Sequence, residues 1–225
     1  MSSPAMADRW ATFDCYGTLI DWNLGVAEAL ARLWPDADRG ELLECYHRVE
    51  PEVQASGPRP YREVLGLATE RVAATLDRPV VGGADQALAE SLPAWPPFPE
   101  VPGALRRLRD DGWRLAILSN TDPDFLAASI RAIGVPVDLA VTVAEAGSYK
   151  PAPGHWRTFR TRTHAAPDRH VHVAASVFHD IAPCAELGVR AVWINRERET
   201  STLPRAAELT DCAALPDTLT GLVPP

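Results

Sequence analysis

Trp10-Ala11-Thr12-Phe13-Asp14-Cys15-Tyr16-Gly17-Thr18-Leu19-Ile20-Asp21 (WATFDCYGTLID) carries the reading that decides the fold. The apolar run Trp10 to Phe13 reads as a short buried strand. It ends at an acid, Asp14, followed by Gly17-Thr18, where the backbone can turn tightly. An aspartate at the carboxyl end of a buried strand, ahead of a Gly-containing loop, faces the crevice where open α/β sheets bind ligands. An isolated Asp14 could equally cap the next turn.

On the C-terminal side, helical spacing extends from Trp22 to about Trp34, stopped by Pro35. A second helix is predicted from about Asp38 to Val49, with Pro51 soon after, and Gly57-Pro58-Arg59-Pro60 reads as a loop. Helices follow at Tyr61 to Leu76 and Ala84 to Leu92. This block holds no convincing strand and looks like an insertion after the first strand. Beyond the stiff connector Pro93 to Pro99, helices and strands alternate. Strands are expected at Arg114–Leu118, Leu139–Val143, Val171–Ala175 and Ala191–Ile194, with a weak one near Leu209. Helices are expected at Val101–Asp110, Pro123–Ile133, His155–His164 and Ile181–Leu187. The alternation implies an α/β fold with a doubly wound parallel sheet and right-handed crossovers.

The 225 residues suffice for one domain with a substantial insertion. Hydrophobic residues make up 46% and charged residues 23%, an ordinary globular balance. Twenty-two basic and thirty acidic side chains give a net charge of −8, which argues against nucleic acid or an anionic membrane as partner. No apolar run approaches the roughly 20 residues of a membrane span. MSSPAMADRW lacks the features of a secretory signal. Cys15, Cys45, Cys184 and Cys212 are widely spaced, which suggests neither zinc site nor disulfide framework, so a cytoplasmic location is expected.

Three further strand ends carry polar residues that would converge on Asp14: Leu118-Ser119-Asn120, Tyr149-Lys150-Pro151, and Ser176-Val177-Phe178-His179-Asp180. Each also has an ordinary reading. Ser119-Asn120 or Asp180 could cap a helix, and Lys150 could be a solvated charge. Their order and placement are more specific than any one alone.

That order resembles the haloacid dehalogenase superfamily, over nearly the whole chain. The resemblance implies a Rossmann-like core formed by residues 1–21 and 93–225, a helical cap formed by 22–92, and Asp14 as nucleophile. Phosphatases of this superfamily carry a second aspartate two residues after the nucleophile, and an acid at the end of the fourth motif's strand that helps hold Mg²⁺. Here those positions are Tyr16 and Ala175. An ordinary tyrosine, with a pKa near ~10, is a poor proton donor to a leaving alcohol. A missing carboxylate removes an oxygen ligand from a hard cation.

Asp14-Cys15-Tyr16-Gly17-Thr18-Leu19 and the later Val192-Trp193-Ile194-Asn195-Arg196 look instead like the L-2-haloacid dehalogenase branch. The resemblance then implies metal-independent hydrolysis of small 2-haloalkanoic acids, with no cofactor. Asp14 would displace halide from Cα and form an ester, which water would then cleave. Lys150 would lie against Asp14, and Asp180 would orient Lys150 or activate the water. Thr18 belongs to the same catalytic motif. Ser119 and the backbone at Cys15 and Tyr16 would hold the substrate carboxylate, and Asn120 the halide.

The cap donor for the halide is assigned to Arg48, with His47 one position away, and Tyr61 to the cap aromatic. Trp156 stands at a tyrosine of the branch. Ala175 and Val177 replace a serine and an asparagine around the hydrolytic water, a role His179 could take over. The expected partner is a small 2-halocarboxylate, with a homodimer as the candidate assembly. A phosphatase, or a catalytically silent small-acid binder, on the same scaffold are the alternatives.

Overall fold

The computed structural model describes residues 8–57, 59–79 and 82–225. Pro58 of the expected loop, and the N-terminal residues read for a secretory signal up to residue 7, lie outside them. Among the described residues no helix is long and apolar enough to cross a membrane.

The chain begins with β1 (Arg9–Phe13) and then forms α1 (Trp22–Leu33), α2 (Arg39–Ala55), α3 (Tyr61–Thr75) and α4 (Ala84–Ser91). These helices pack against one another before the chain returns to the sheet. Asp21 and Asp38 cap α1 and α2, accepting from Leu24 N and Glu41 N at 3.0 and 2.9 Å. The second helix runs six residues past its predicted end and contains Pro51. Proline removes one backbone donor there. The buried stripe Leu42, Tyr46, Val49, Val53 nevertheless continues across it and holds the extra turn against the neighbouring helices.

After the helices come α5 (Val101–Asp110), β2 (Trp113–Leu118), α6 (Pro123–Ile133), β3 (Leu139–Val141), α7 (Val143–Ala146) and α8 (Gly154–Thr163). The chain ends with β4 (His170–Ala174), α9 (Ala182–Leu187), β5 (Ala191–Ile194), β6 (Ala207–Leu209) and α10 (Leu215–Leu222). The third strand is shorter than predicted because Thr142 and Glu145 form a reciprocal capping box that starts α7. Helical winding before α9 begins early, with a π-type turn over Val177–Ile181. The sequence reading did not include α10, which buries Leu215 and Leu219.

Among the described residues a six-stranded, all-parallel sheet runs β3-β2-β1-β4-β5-β6. The chain steps from β1 outward to β3 and then crosses to β4 on the other side of β1. That reversal sits where strand ends open into a crevice. Alternate residues serve the two faces, Ala11, Phe13, Leu115 and Ile117 on one and Trp10, Ala116, Leu118 and Trp193 on the other.

Two segments link the helical block to the sheet, and they run side by side. Asp21 N donates to Pro96 O at 2.9 Å and Phe98 N to Leu19 O at 3.0 Å. Gly25 is required here, since a Cβ at that position would stand 2.3 Å from the Trp95 ring. From the other end, the Asp122 carboxylate beyond β2 accepts from the first N–H groups of α3, Tyr61 N at 2.8 Å and Arg62 N at 3.0 Å.

Candidate functional site

The ends of β1, β2 and β4 and the loop after α7 meet below the helical block. Asp14 follows β1 directly, and Gly17, at φ +83°, lets the chain fold back so that Thr18 faces it. Thr18 Oγ1 donates to Asp14 Oδ2 at 3.0 Å and accepts from Ala175 N at 2.9 Å. Lys150 Nζ donates to Asp14 Oδ1 at 2.8 Å and to Asp180 Oδ1 at 2.7 Å. All three are buried. Burial works against the Lys150 charge, but the two carboxylates win and raise its pKa above the ordinary value. Burial likewise works against the Asp180 charge. Lys150 and the hydrogen bond from His172 nevertheless hold its carboxyl well below the usual range.

Lys150 is the single lysine among the 22 basic residues of the chain. That bias toward arginine was itself a signal. A compact ammonium fits between two carboxylates where a planar guanidinium would not. Asn120 fixes the lysine's backbone, accepting from Lys150 N at 2.7 Å and donating to Lys150 O at 3.0 Å. Ser119 is buried at the cavity edge, and His155 Nε2 donates to its carbonyl at 3.1 Å.

A cavity of about 1030 Å³ opens above Asp14, Ser119, Asn120, Lys150 and Asp180. Tyr16, Tyr61, Trp22, Phe98 and Phe178 give it aromatic walls. Tyr16 stacks on Tyr61, ring centres 6.5 Å apart, and shares a hydrogen bond with Ser129 at 3.0 Å. Burial pushes the Tyr16 phenol far up, which removes it as an acid. The Cys15 thiol is likewise pushed up by burial and lies in the core, so Cys15 meets the site only through its backbone. His179 borders the cavity, half-buried, with Nδ1 3.2 Å from Ser176 Oγ.

Two expected residues are not brought to the site. Arg48 is exposed and pairs with Glu44 at 3.2 Å, one turn back on its own helix. The face of α2 that lines the cavity carries His47, Glu50, Pro51 and Gln54, and position 48 lies about 100° around from His47. Trp156 is buried under the other face of the sheet, edge-on to His172 with ring centres 5.4 Å apart. It sits on the inner side of α8, where it fills core volume and does not line this cavity.

The residue that does reach the cavity is His47. Its ring stacks on Trp22 at 5.1 Å, and Nε2 donates to Asn23 Oδ1 at 3.0 Å. Because His47 lines the cavity and Arg48 does not, His47→Ala is expected to lower turnover by ~10²-fold and Arg48→Ala by less than about twofold. Steady-state halide release from both variants checks this, and a crippled Arg48→Ala would return the role to Arg48.

Glu50, also missed, lies one turn from His47 and is 5% exposed. Burial raises its pKa to about 7, against the hydrogen bond from Gln54 that favours the charge. Its spacing of three from His47 was the available signal.

A model of haloacid dehalogenase-like hydrolases matches residues 9–188 of the sequence. The chain belongs to the haloacid dehalogenase-like hydrolases. This hydrolase is 27% identical to (S)-2-haloacid dehalogenase 1 of Pseudomonas sp. (strain CBS-3), over 94% of its own length and 96% of the relative's. It is 29% identical to phosphoserine phosphatase of Thermus thermophilus, over 76% and 72% of the two chains. In fold it matches L-2-haloacid dehalogenase from Xanthobacter autotrophicus with a TM-score of 0.83 and 20% identity, covering 95% of this chain and 99% of the other.

Proposed function

We propose that the protein hydrolyses small 2-haloalkanoic acids to 2-hydroxy acids through an ester on Asp14, without a metal. The observation that carries this reading is the Lys150 ammonium hydrogen-bonded to Asp14 and Asp180 at once. Its charge stands between the two carboxylates that a hard cation would need. With Ala175 in place of the carboxylate that would help hold it, the residues present do not fit Mg²⁺, and Tyr16 replaces the acid that would protonate a leaving alcohol. The 2-haloacid specificity of the Pseudomonas relative supports the same substrate class.

In the first half-reaction an Asp14 oxygen attacks Cα, the carbon–halogen bond breaks, and halide departs with the bonding pair. No proton is needed by such a leaving group, which suits a site whose Tyr16 is no acid. His47, once it releases Asn23, is the cap group at the cavity that can turn its N–H to a desolvated halide. Ser119 and the backbone after Asp14 serve the substrate carboxylate. In the second half-reaction water attacks the Asp14 carbonyl carbon, gives its proton to a base, and releases the hydroxy acid. Helices α1–α4, which bring His47, Trp22 and Tyr61 over Asp14, act as the cap.

Halide release from 2-chloro, 2-bromo and fluoro acids, with and without EDTA, tests the reading. Release indifferent to EDTA and to added Mg²⁺ is expected. Activity removed by the chelator and restored by Mg²⁺ would favour the phosphatase reading, which the Thermus relative motivates. Binding of 2-haloacids without release would point to a silent binder.

A further inference from the structure

Behind Asp180 the hydrogen bonding continues into the core. His172 Nε2 lies 3.0 Å from Asp180 Oδ1, and since a carboxylate only accepts, the ring N–H donates. His172 Nδ1 lies 2.8 Å from Thr12 Oγ1, and the same hydroxyl lies 2.8 Å from His170 Nε2. Thr12 thus donates to one ring and accepts from the other. Strand register produces the cluster, since Thr12 and His172 are paired neighbours on β1 and β4, and His170 is two residues from His172 on the same face. Thr12 and His172 are fully buried and His170 nearly so. Burial, with help from His172 and Arg160, brings His170 down to about 3, so it is neutral.

An apolar core would be cheaper than three buried polar groups unless they act on something. What they act on is the orientation of Asp180. Its Oδ1 receives both Lys150 and His172, while its buried Oδ2 has no hydrogen-bond partner among the described residues. Asp180 borders the cavity. A carboxylate tied down by one oxygen presents the other as a fixed acceptor.

We propose that His172, seated by Thr12 and His170, is a positioning residue for the second half-reaction. It holds Asp180 so that Oδ2 accepts the proton of the water that cleaves the Asp14 ester. The water's oxygen bonds to the Asp14 carbonyl carbon and its proton goes to Asp180. The ester C–O bond then breaks, the leaving alkoxide takes that proton from Asp180 to become the hydroxy acid, and Asp14 loses the water's second proton to solvent. In this chain Ala175 and Val177 offer no side-chain hydrogen bond to that water, so Asp180, with His179 beside it at the cavity wall, is what can fix it. The inference rests on the ester reading above. It separates the two half-reactions, because Lys150 keeps its bonds to Asp14 and Asp180 when the imidazole is lost.

The test uses 2-bromopropionate with rapid quenching, halide measurement and intact-protein mass. His172→Phe keeps an aromatic ring against Trp156 but removes both nitrogens. Its halide burst is expected within about threefold of wild type, with ester hydrolysis slowed ~10²-fold, the lower end of general-base effects, so that one ester per chain accumulates. His172→Gln restores an N–H toward Asp180 and should turn over within about fivefold of wild type without accumulation. Thr12→Val, which removes the shared hydroxyl, should show partial accumulation and covers the case of a poorly folding Phe variant. Burst and hydrolysis slowed equally in all three, or turnover unchanged in His172→Phe and Thr12→Val, would overturn the proposal. Halide release by wild type with no ester in a single turnover would remove the ester reading itself, and this proposal with it.

Discussion

Asp14→Asn is expected to lose halide release by at least ~10⁴-fold while leaving the fold in place. A nucleophile deletion commonly costs this much, because nothing else in the site can form the covalent bond. An amide oxygen carries no full charge and would yield an unstable imidate. The structural loss is small because the surrounding hydrogen bonds adapt. Thr18 donates to Asp14 Oδ2, and its hydroxyl, already accepting from Ala175 N, has a second lone pair with which to meet an amide N–H instead. Lys150 retains Asp180. A thermal midpoint within a few degrees of wild type, together with absent turnover, is the expected pair of results. Label from H₂¹⁸O should enter the wild-type Asp14 side chain over many turnovers. A single turnover that labels the product directly would sink the ester mechanism.

The sheet was legible because each strand is short, apolar and bounded by a turn residue. At β1, β2, β4 and β5 the predicted and observed bounds differ by no more than a residue. The parallel, doubly wound class followed from alternation, whereas the strand order β3-β2-β1-β4-β5-β6 came only with the structure. Ends decided by side-chain hydrogen bonds were less readable. The Thr142–Glu145 box cut β3 short, and α2 ran through Pro51 because packing outweighed one missing donor. The short α10 carries Leu215 and Leu219 at helical spacing but starts after Ala214 with no side-chain cap.

The site was legible where strand ends deliver it and illegible where helix azimuth does. Asp14, Ser119, Lys150 and Asp180 follow strands or a loop at the sheet's edge, so their convergence is a matter of topology. His47 and Arg48 differ by one residue, and the choice between them depends on which side of α2 faces the sheet. The buried stripe at Leu42, Tyr46, Val49 and Val53 fixes that rotation to within tens of degrees, and both neighbours fall beside it. A guanidinium looked better suited to an anion than an imidazole, and chemical preference was weighed above geometry. The His170–Thr12–His172 cluster was readable in principle, since His-Val-His in a strand places both rings on one face. What the pattern does not give is the register that sets Thr12 of β1 between the two rings.

Lys150→Met is expected to destabilise the protein by about 3–5 kcal/mol near neutral pH, the usual cost of removing one partner from a buried ion pair. Methionine fills similar volume, so the loss is electrostatic rather than a cavity. Asp14 and Asp180 would then be two buried carboxylates with no cation between them. The pH dependence follows from the signs. In wild type the Asp180 carboxyl is held below its unfolded value, so its contribution is present above about pH 3.9 and lost only as pH falls below that. The Lys150 contribution is complete below the unfolded lysine value of about 10.5 and is constant over the range of interest. Without the ammonium, burial dominates at Asp180 and pushes its carboxyl above 3.9. The variant therefore loses stability as pH rises out of the acid range, each unit between the two values costing about 1.4 kcal/mol. The gap between wild type and Lys150→Met should widen from pH 5 to pH 7.5 in denaturant titrations. Adding Asp180→Asn to Lys150→Met should recover part of the stability, because it removes one of the repelling charges. A gap that is flat with pH, or a double variant less stable than the single one, would show that the three side chains are not coupled as their geometry requires.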